Sequence, residues 1–154
     1  CPDDGPSMVV DARKRIHIVW PTLITEKAAG SEPTIALFYA MSIDGKQFTA
    51  RERIPTEGMP HHPRVVVSAD GLLTVAWDEA AGGSRRIVVA RGMADEGGRP
   101  RFRREVLTAS GPVVYPAIAS AGDGVVAAWT SGPSTSATIQ VARLMGSRSA
   151  ATDK

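Results

Sequence analysis

The chain has 154 residues, the size of one ordinary domain, and 43% of them are apolar, enough to build a hydrophobic core and to exclude disorder throughout. Its 18 basic residues nearly balance 16 acidic ones without a run of like charge, so the composition predicts no nucleic-acid partner. No apolar stretch approaches the roughly 18 residues that a membrane-spanning helix needs.

The chain starts at Cys1 and not at a methionine, so we expect it to be a piece of a longer protein. A single cysteine cannot form an internal disulfide. Three roles stay open for Cys1: half of a disulfide whose partner lies upstream, a bystander thiol, or a nucleophile. Because no histidine or second cysteine stands at ligand spacing from it, the sequence predicts no metal site here, and nothing else predicts a cofactor.

A repeat occurs three times along the chain. The first copy has two short runs rich in Val and Ile, residues 6–11 and 16–20, and it ends at Trp20. The same two runs recur before the later tryptophans, at residues 63–68 and 73–77 and again at 116–120 and 125–129. Polar turns such as residues 69–71 separate the paired runs, which predicts a β-hairpin in each copy.

A third run follows each tryptophan after a polar loop, and a fourth run closes the first two copies. The third runs lie at residues 34–41, 86–90 and 138–142, and the fourth runs at 51–54 and 103–107. Four short strands about every 50 residues are typical of β-propeller blades. We therefore predict an all-β fold of about three four-stranded antiparallel blades, forming part of a ring. The alternative is a β-sandwich of ten or eleven short strands.

The predicted blades cover about residues 1–55, 56–108 and 109–146, and the last blade stops before its outer strand. A sandwich would not require three tryptophans in register, so the repeat favours blades. We expect the tryptophans to pack between blades rather than to serve as sugar platforms, and they are Trp20, Trp77 and Trp129. Residues 147–154 are small and polar, and we predict that they are disordered.

Between the third and fourth runs of the first copy lie Ser42, Asp44, Gly45 and Phe48. This segment resembles the Asp-box of sialidase-superfamily propellers, in which Ser, Asp, Gly and an aromatic tie together a β-turn on the outer part of a blade. It is one residue shorter between the Asp and the aromatic than the usual form, and the other two copies lack it. The start of the chain also resembles exported, mostly uncharacterised bacterial proteins of that superfamily.

The resemblance implies a six-bladed ring, of which this chain is the C-terminal half, and an extracellular or periplasmic location. We expect the missing N-terminal half, or a second copy of the chain, to complete the ring, because three blades leave two open sheet faces. In true sialidases an arginine triad grips the substrate carboxylate. One of those arginines stands two residues before an inner-strand proline, where this chain has Asp4, His61 and Val114. No catalytic residue is therefore assigned.

In a meander the connections alternate between two ends of each blade, so the sequence sorts the loops. One end carries tight turns with Asp and Gly, which turn chemistry explains. The other end gathers the blade-to-blade crossings and the loops after the tryptophans. Residues that begin an innermost strand lie nearest the ring axis. The predicted ligand-binding residues at this end are Asp4, His61, His62, Tyr115, Asp78 and Glu79.

These candidates also have structural interpretations. His61 and His62 stand next to prolines and are also explained as part of a polar crossing between two blades. Neighbouring side chains on an extended chain point in opposite directions, which disfavours a metal ion shared by the two histidines. Asp78 and Glu79 fit paired catalytic carboxylates or, more simply, a solvated loop. Tyr115 can act as a nucleophile only if a neighbouring base lowers the pKa of its hydroxyl. Without such a base it is a stacking or packing residue.

Two functions stay open. One is a glycan-related protein, either a glycoside hydrolase or a degenerate carbohydrate binder, that acts through the central face of the ring. The blade repeat and the acidic and imidazole side chains at one end favour it. The other is a non-enzymatic scaffold for protein interactions, which the missing arginine motif favours.

Overall fold

The computed structural model is all-β, and it describes residues 4–25, 33–94, 99–108, 111–122 and 124–145. Within those residues the strands are β1 (Ser7–Val10), β2 (Ile16–Ile24), β3 (Thr34–Ser42), β4 (Glu52–Ile54), β5 (Met59–Val67), β6 (Leu73–Ala81), β7 (Ser84–Ala94), β8 (Pro100–Val106), β9 (Val113–Ala121), β10 (Gly124–Ser131) and β11 (Thr138–Met145). This part of the chain contains no helix that is long and apolar enough to cross a membrane. Cys1 and the predicted tail 147–154 lie outside the described residues.

The strands form three antiparallel meanders in chain order. The first sheet is β1 to β4, the second is β5 to β8, and the third is β9 to β11. β5 of the second sheet packs on β1, β2 and β3, and β9 of the third sheet packs on β5, β6 and β7. The first strand of each later sheet therefore lies against the sheet before it. The chain forms three consecutive blades of a partial β-propeller, as the repeat predicts.

Two apolar cores hold the blades together. Trp77 is fully buried between the first and second sheets, where it packs with side chains such as Val19 and Leu37. Trp129 is buried between the second and third sheets with Ile87 and Val113. Both tryptophans thus lie in apolar cores between neighbouring sheets. Trp20 is only half-buried and lies against Phe38, with ring centroids 6.1 Å apart.

The loop predicted after Trp77 is in fact mostly strand. β6 continues to Ala81 and β7 begins at Ser84, and these two residues pair across the turn. Gly82 and Gly83 form that turn with φ values of 58° and 79°. Positive φ at both central residues is the geometry that matches the strand twist in a tight hairpin, and paired glycines adopt it without steric cost. Asp78 and Glu79 therefore lie within a strand and not in a solvated loop.

Two bulges interrupt the inner strands at equivalent places. The pairing of β5 with β6 shifts between His61 and Arg64, and the pairing of β9 with β10 shifts beside Trp129. The residues at these shifts are His62, with φ 50°, and Tyr115, with φ 56°. Each precedes a proline, which makes a left-handed backbone still less favourable. Such strain is kept where the surrounding structure enforces it, and it often marks a functional position.

Candidate functional site

Five of the six predicted ligand-binding residues meet where the crossings reach the inner strands, and an arginine joins them. We call this group the inner-strand cluster, and its members are Asp4, His61, His62, Asp78, Arg85 and Tyr115. Hydrogen bonds and ring contacts connect these side chains across all three blades. The sixth candidate, Glu79, lies elsewhere.

Asp4 joins the first blade to the second. One carboxylate oxygen accepts the backbone N–H of His62 at 2.6 Å, and the other lies 2.8 Å from Nδ1 of His61. A carboxylate only accepts hydrogen bonds, so Nδ1 of His61 is the donor. When this imidazole is neutral, its Nε2 is the remaining acceptor. The pair thus offers a ligand an oriented imidazole supported by a carboxylate, the arrangement used in acid/base chemistry and in binding hydroxyl groups.

Asp78 joins the second blade to the third, and its side chain is 0% exposed. Its Oδ1 accepts a hydrogen bond from Nδ1 of His62 at 2.6 Å and lies 3.4 Å from the backbone nitrogen of Tyr115. Its Oδ2 accepts from the guanidinium of Arg85. A buried carboxylate needs such partners because desolvation penalises the charge. Asp78 is therefore placed to position His62, Arg85 and Tyr115 rather than to contact a ligand.

Tyr115 and Arg85 are the most accessible members of the cluster, His61 is partly exposed, and His62 is buried beneath them. Tyr115 is 54% exposed, and its ring centroid lies 4.5 Å from that of His62. The rings of His61 and His62 are 5.9 Å apart. The expectation that neighbouring histidines point in opposite directions is wrong, because the bulge at His62 breaks the extended geometry on which it rested. No three histidine, cysteine, aspartate or glutamate side chains in the described ranges are grouped so that they could hold a metal ion.

Glu79 belongs to a separate ion-pair group inside the second blade. It is fully buried and interacts with Arg86 and Arg104, and it accepts a bond of 3.3 Å from the Trp77 indole. Burial alone would raise the pKa of Glu79, but hydrogen bonds led by that from Arg104 outweigh it and lower the pKa. Asp78 and Glu79 are neighbours on a strand and face opposite sides of the sheet. They do not form a pair of catalytic carboxylates.

The Ser42 turn is tied together by side chains, and the aromatic residue of the segment is exposed. The Ser42 hydroxyl accepts the N–H of Gly45 at 2.9 Å and lies 3.2 Å from Asp44, which also caps two backbone nitrogens. Phe48 is 46% exposed. In the β5–β6 turn Ser68 makes the same bond to Asp70 at 2.5 Å. The Ser-x-Asp-Gly arrangement is therefore general turn chemistry in this chain, and the specific Asp-box resemblance is not confirmed.

A second polar group lies under the β1–β2 turn, and we call it the turn network: Asp11, Arg15, His17 and Tyr39. Asp11 accepts bonds from the backbone and guanidinium of Arg15, and Nδ1 of His17 lies 2.8 Å from the Tyr39 hydroxyl. Burial alone would raise the pKa of Asp11, but the bonds from Arg15 and His17 lower it to about 2. Burial lowers the pKa of His17, and Asp11 only partly opposes this.

The sequence did not predict the role of Arg85 in the inner-strand cluster. Arg85 pairs with Ala80 across the hairpin, which brings its guanidinium back to Asp78. The signal that could have indicated this contact is the Gly82-Gly83 pair, because a two-residue turn fixes which residues lie opposite each other. The turn network was anticipated only in part, since Asp11 is at a predicted tight turn and His17 was not singled out.

Comparison with known proteins gives a fold likeness only. No family model matches the chain, and no curated protein matches it. A glycosyl hydrolase from Bacteroides ovatus superposes with a TM-score of 0.52 and 14% sequence identity, over 92% of this chain and 51% of that chain. A structure from the GH130 family of mannoside phosphorylases, which contains glycoside hydrolases that target β-1,2 mannosidic linkages in Candida mannan, superposes with a TM-score of 0.50, with the same identity and coverage. This chain spans about half the length of each.

Proposed function

We propose that this chain is part of a carbohydrate-active β-propeller and that the inner-strand cluster binds the glycan. The observation that carries the proposal is the pair His62 and Tyr115. Both have left-handed backbone before a proline at equivalent bulges, and their rings lie together beside two histidine-carboxylate pairs. Strain at two equivalent bulges whose side chains contact each other supports a binding site rather than a solvated crossing. The likeness in fold to glycosyl hydrolases supports the glycan assignment.

The chemistry of the cluster suits a sugar. The exposed ring of Tyr115 offers a flat apolar surface for the C–H face of a pyranose, while His61 and Asp4 offer polar atoms for its hydroxyls. Both of those side chains are only partly buried. Asp78 fixes the positions of His62 and Arg85 from beneath. A ligand would thus meet a surface whose polar groups are already oriented, which lowers the entropy cost of binding.

Whether bound glycan is also hydrolysed depends on groups beyond the cluster. Most glycoside hydrolases use two carboxyl groups that flank the scissile bond. Of the two carboxylates in the cluster, Asp78 is buried and engaged on both oxygens, and only Asp4 is accessible. The His61–Asp4 pair is our candidate acid/base group for such a reaction. We propose β-1,2-mannosides and sialosides as the first ligands to test.

Glycan-array screening of the full chain, followed by calorimetric titration of the best ligands, tests the proposal. We expect Tyr115→Ala and His61→Ala to weaken binding about tenfold or more, since each removes a ligand contact. The matched control is Phe48→Ala, which removes an exposed aromatic at the other end of the blade and should leave affinity unchanged. Absence of binding to every glycan, or equal loss in the Phe48 variant, would overturn the proposal.

The alternative is a protein-interaction scaffold. It is favoured because both carboxylate oxygens of Asp78 already accept hydrogen bonds from His62, Arg85 and Tyr115. The cluster therefore needs no ligand to satisfy its buried charge. Affinity purification from the native source would decide this point. A defined protein partner whose binding is lost in Tyr115→Ala, with no glycan binding, would favour the scaffold.

A further inference from the structure

A groove adjoins the inner-strand cluster and shares Arg85 with it. Its walls are Met59, the tip of the β6–β7 hairpin at residues 80–85, and Gly111 with Pro112 on the crossing to the third blade. Its volume of about 710 Å³ is within the range of about 300 to 1,000 Å³ usual for small-molecule sites. Most of its lining is apolar or backbone, and Ser84 and Arg85 supply side-chain polar groups.

The groove and the cluster lie on one continuous surface. In the pairing of β5 with β6, His61 is opposite Asp78, and two residues further along Met59 is opposite Ala80. Residues two apart on a strand share a face and are separated by roughly 7 Å. Arg85 belongs to both places, because it binds Asp78 and also lines the groove. A ligand seated on the cluster that extends by one unit along this ladder would enter the groove.

The walls of the groove are held in place by the backbone. Gly111 donates its N–H to the carbonyl of Arg85 at 2.9 Å, which fixes the crossing against the hairpin. On the other side a Cβ added at Gly58 would clash with the carbonyl oxygen of Ala80, so glycine permits a close approach there. The hairpin tip is thus pinned from two directions. A pocket with fixed walls does not have to be ordered when a ligand binds.

We propose that this groove binds the second unit of an oligosaccharide whose first unit lies on Tyr115 and His61. The inference rests on the proposed function and adds to it that the ligand is a chain of at least two sugars. Met59, Ala80 and Pro112 offer an apolar surface to one face of the sugar, and Ser84 and Arg85 offer hydrogen-bonding groups to its hydroxyls. This mixture of apolar wall and few polar groups matches a pyranose better than it matches a lipid or a free anion.

The test is a chain-length series measured by calorimetry on the full chain: a methyl glycoside and the matching di- and trisaccharide, beginning with the β-1,2-mannose series. We expect the disaccharide to bind about tenfold more tightly than the monosaccharide. Ala80→Phe, which fills the groove, should abolish that gain and leave monosaccharide affinity unchanged. Met59→Ala, at an exposed position, should reduce the gain without altering the fold.

The controls separate the groove from general effects on the protein. Ala121→Phe adds the same side chain at the opposite end of β9, and Leu23→Ala shortens an exposed side chain near the end of β2. Neither should change the ratio of disaccharide to monosaccharide affinity. Equal affinity for all lengths, or a gain that survives both groove variants, would overturn this inference while leaving the proposed function intact. Failure of every sugar, the monosaccharide included, would reject the proposed function itself.

Discussion

The inner-strand cluster and the turn network use the same four residue types at opposite ends of the blades. Each contains an aspartate, a histidine, a tyrosine and an arginine: Asp78, His62, Tyr115 and Arg85 in the first, and Asp11, His17, Tyr39 and Arg15 in the second. In both, the aspartate interacts with the histidine and with the arginine. The residue types therefore do not distinguish a ligand site from a structural one.

The two groups differ in where their members come from and in what stays accessible. The turn network is local to the first sheet, and both His17 and Tyr39 are buried. The inner-strand cluster draws on three blades, and its tyrosine faces solvent at a strained bulge. A polar network closed within one sheet can only stabilise that sheet. One that spans several blades and keeps an exposed aromatic ring can also bind a ligand.

The largest difference is expected when each aspartate is removed. Asp78→Ala leaves Arg85 and His62 without their buried partner, and we expect a loss of about 3 kcal/mol in unfolding free energy together with loss of glycan binding. Asp11→Ala should cost about 2 kcal/mol and leave binding unchanged. Urea unfolding monitored by tryptophan fluorescence, combined with calorimetric titration, measures both quantities. Unchanged binding in a folded Asp78 variant would contradict the assignment of Asp78 as a positioning residue.

A smaller effect is expected from acid. The pKa of Asp11 is about 2 in the folded chain against 3.8 for the ordinary group, so the unfolded state binds its proton first as pH falls. The stability from Asp11 is thus present above about pH 4 and is lost as pH approaches 2, by about 2 kcal/mol. His17 adds a loss that begins as pH falls through 6.5, because its pKa is lowered by folding.

Urea unfolding of the wild-type chain at pH 5, 3 and 2 measures the Asp11 contribution. Asp11→Asn, which has no proton to bind, should lose less stability over this interval than the wild type. Glu105→Gln replaces an exposed carboxylate on β8 and serves as the control. If the wild type and Asp11→Asn lose stability in parallel, the low pKa of Asp11 is refuted.

The tyrosines offer a finer comparison. Tyr39→Phe removes the hydroxyl that bonds Nδ1 of His17 at 2.8 Å and should cost about 1 kcal/mol without affecting binding. Tyr115→Phe keeps the exposed ring and should change neither stability nor glycan affinity by more than about 0.5 kcal/mol. Thermal unfolding and calorimetry check both. A strong loss of affinity in Tyr115→Phe would show that the hydroxyl, and not the ring, contacts the glycan.

The fold was predictable because its signals are local and repeated. Runs rich in Val and Ile, the polar turns between them and a tryptophan at one place in each copy all persist in the blades, with Trp77 and Trp129 buried between sheets. The extent of β6 and β7 was not predicted, since polar residues there suggested a loop. Glu79 and Arg86 remain in strand because Glu79 forms ion pairs with both Arg86 and Arg104 in the interior.

Most members of the cluster, though not Arg85, were predictable from topology, but the geometry of the cluster was not. The crossings bring Asp4, His61 and Tyr115 to one end of the blades in any meander, and the sequence alone supports that step. The bulges at His62 and Tyr115 depend on how each inner strand pairs with its neighbour. No local pattern fixes that pairing. The proline that follows each of these residues, Pro63 and Pro116, is the one sequence signal that could have indicated the bulges.

The smallest expected effect tests whether strain serves binding. Lys14, in the turn beside Asp11, has φ 62°, close to the 56° of Tyr115. Glycine relieves such a backbone, and Lys14→Gly should raise unfolding free energy by about 0.5 kcal/mol without changing glycan affinity. Tyr115→Gly gains the same relief of backbone strain but loses the ring contact with His62, which is worth about 1 kcal/mol. The unfolding free energy of this variant should therefore change by no more than about 0.5 kcal/mol. Its glycan binding should be lost, because the exposed ring is gone. Thermal unfolding and calorimetry of both variants separate the outcomes, because a large destabilisation in Tyr115→Gly would identify Tyr115 as a packing residue and remove it from the ligand surface.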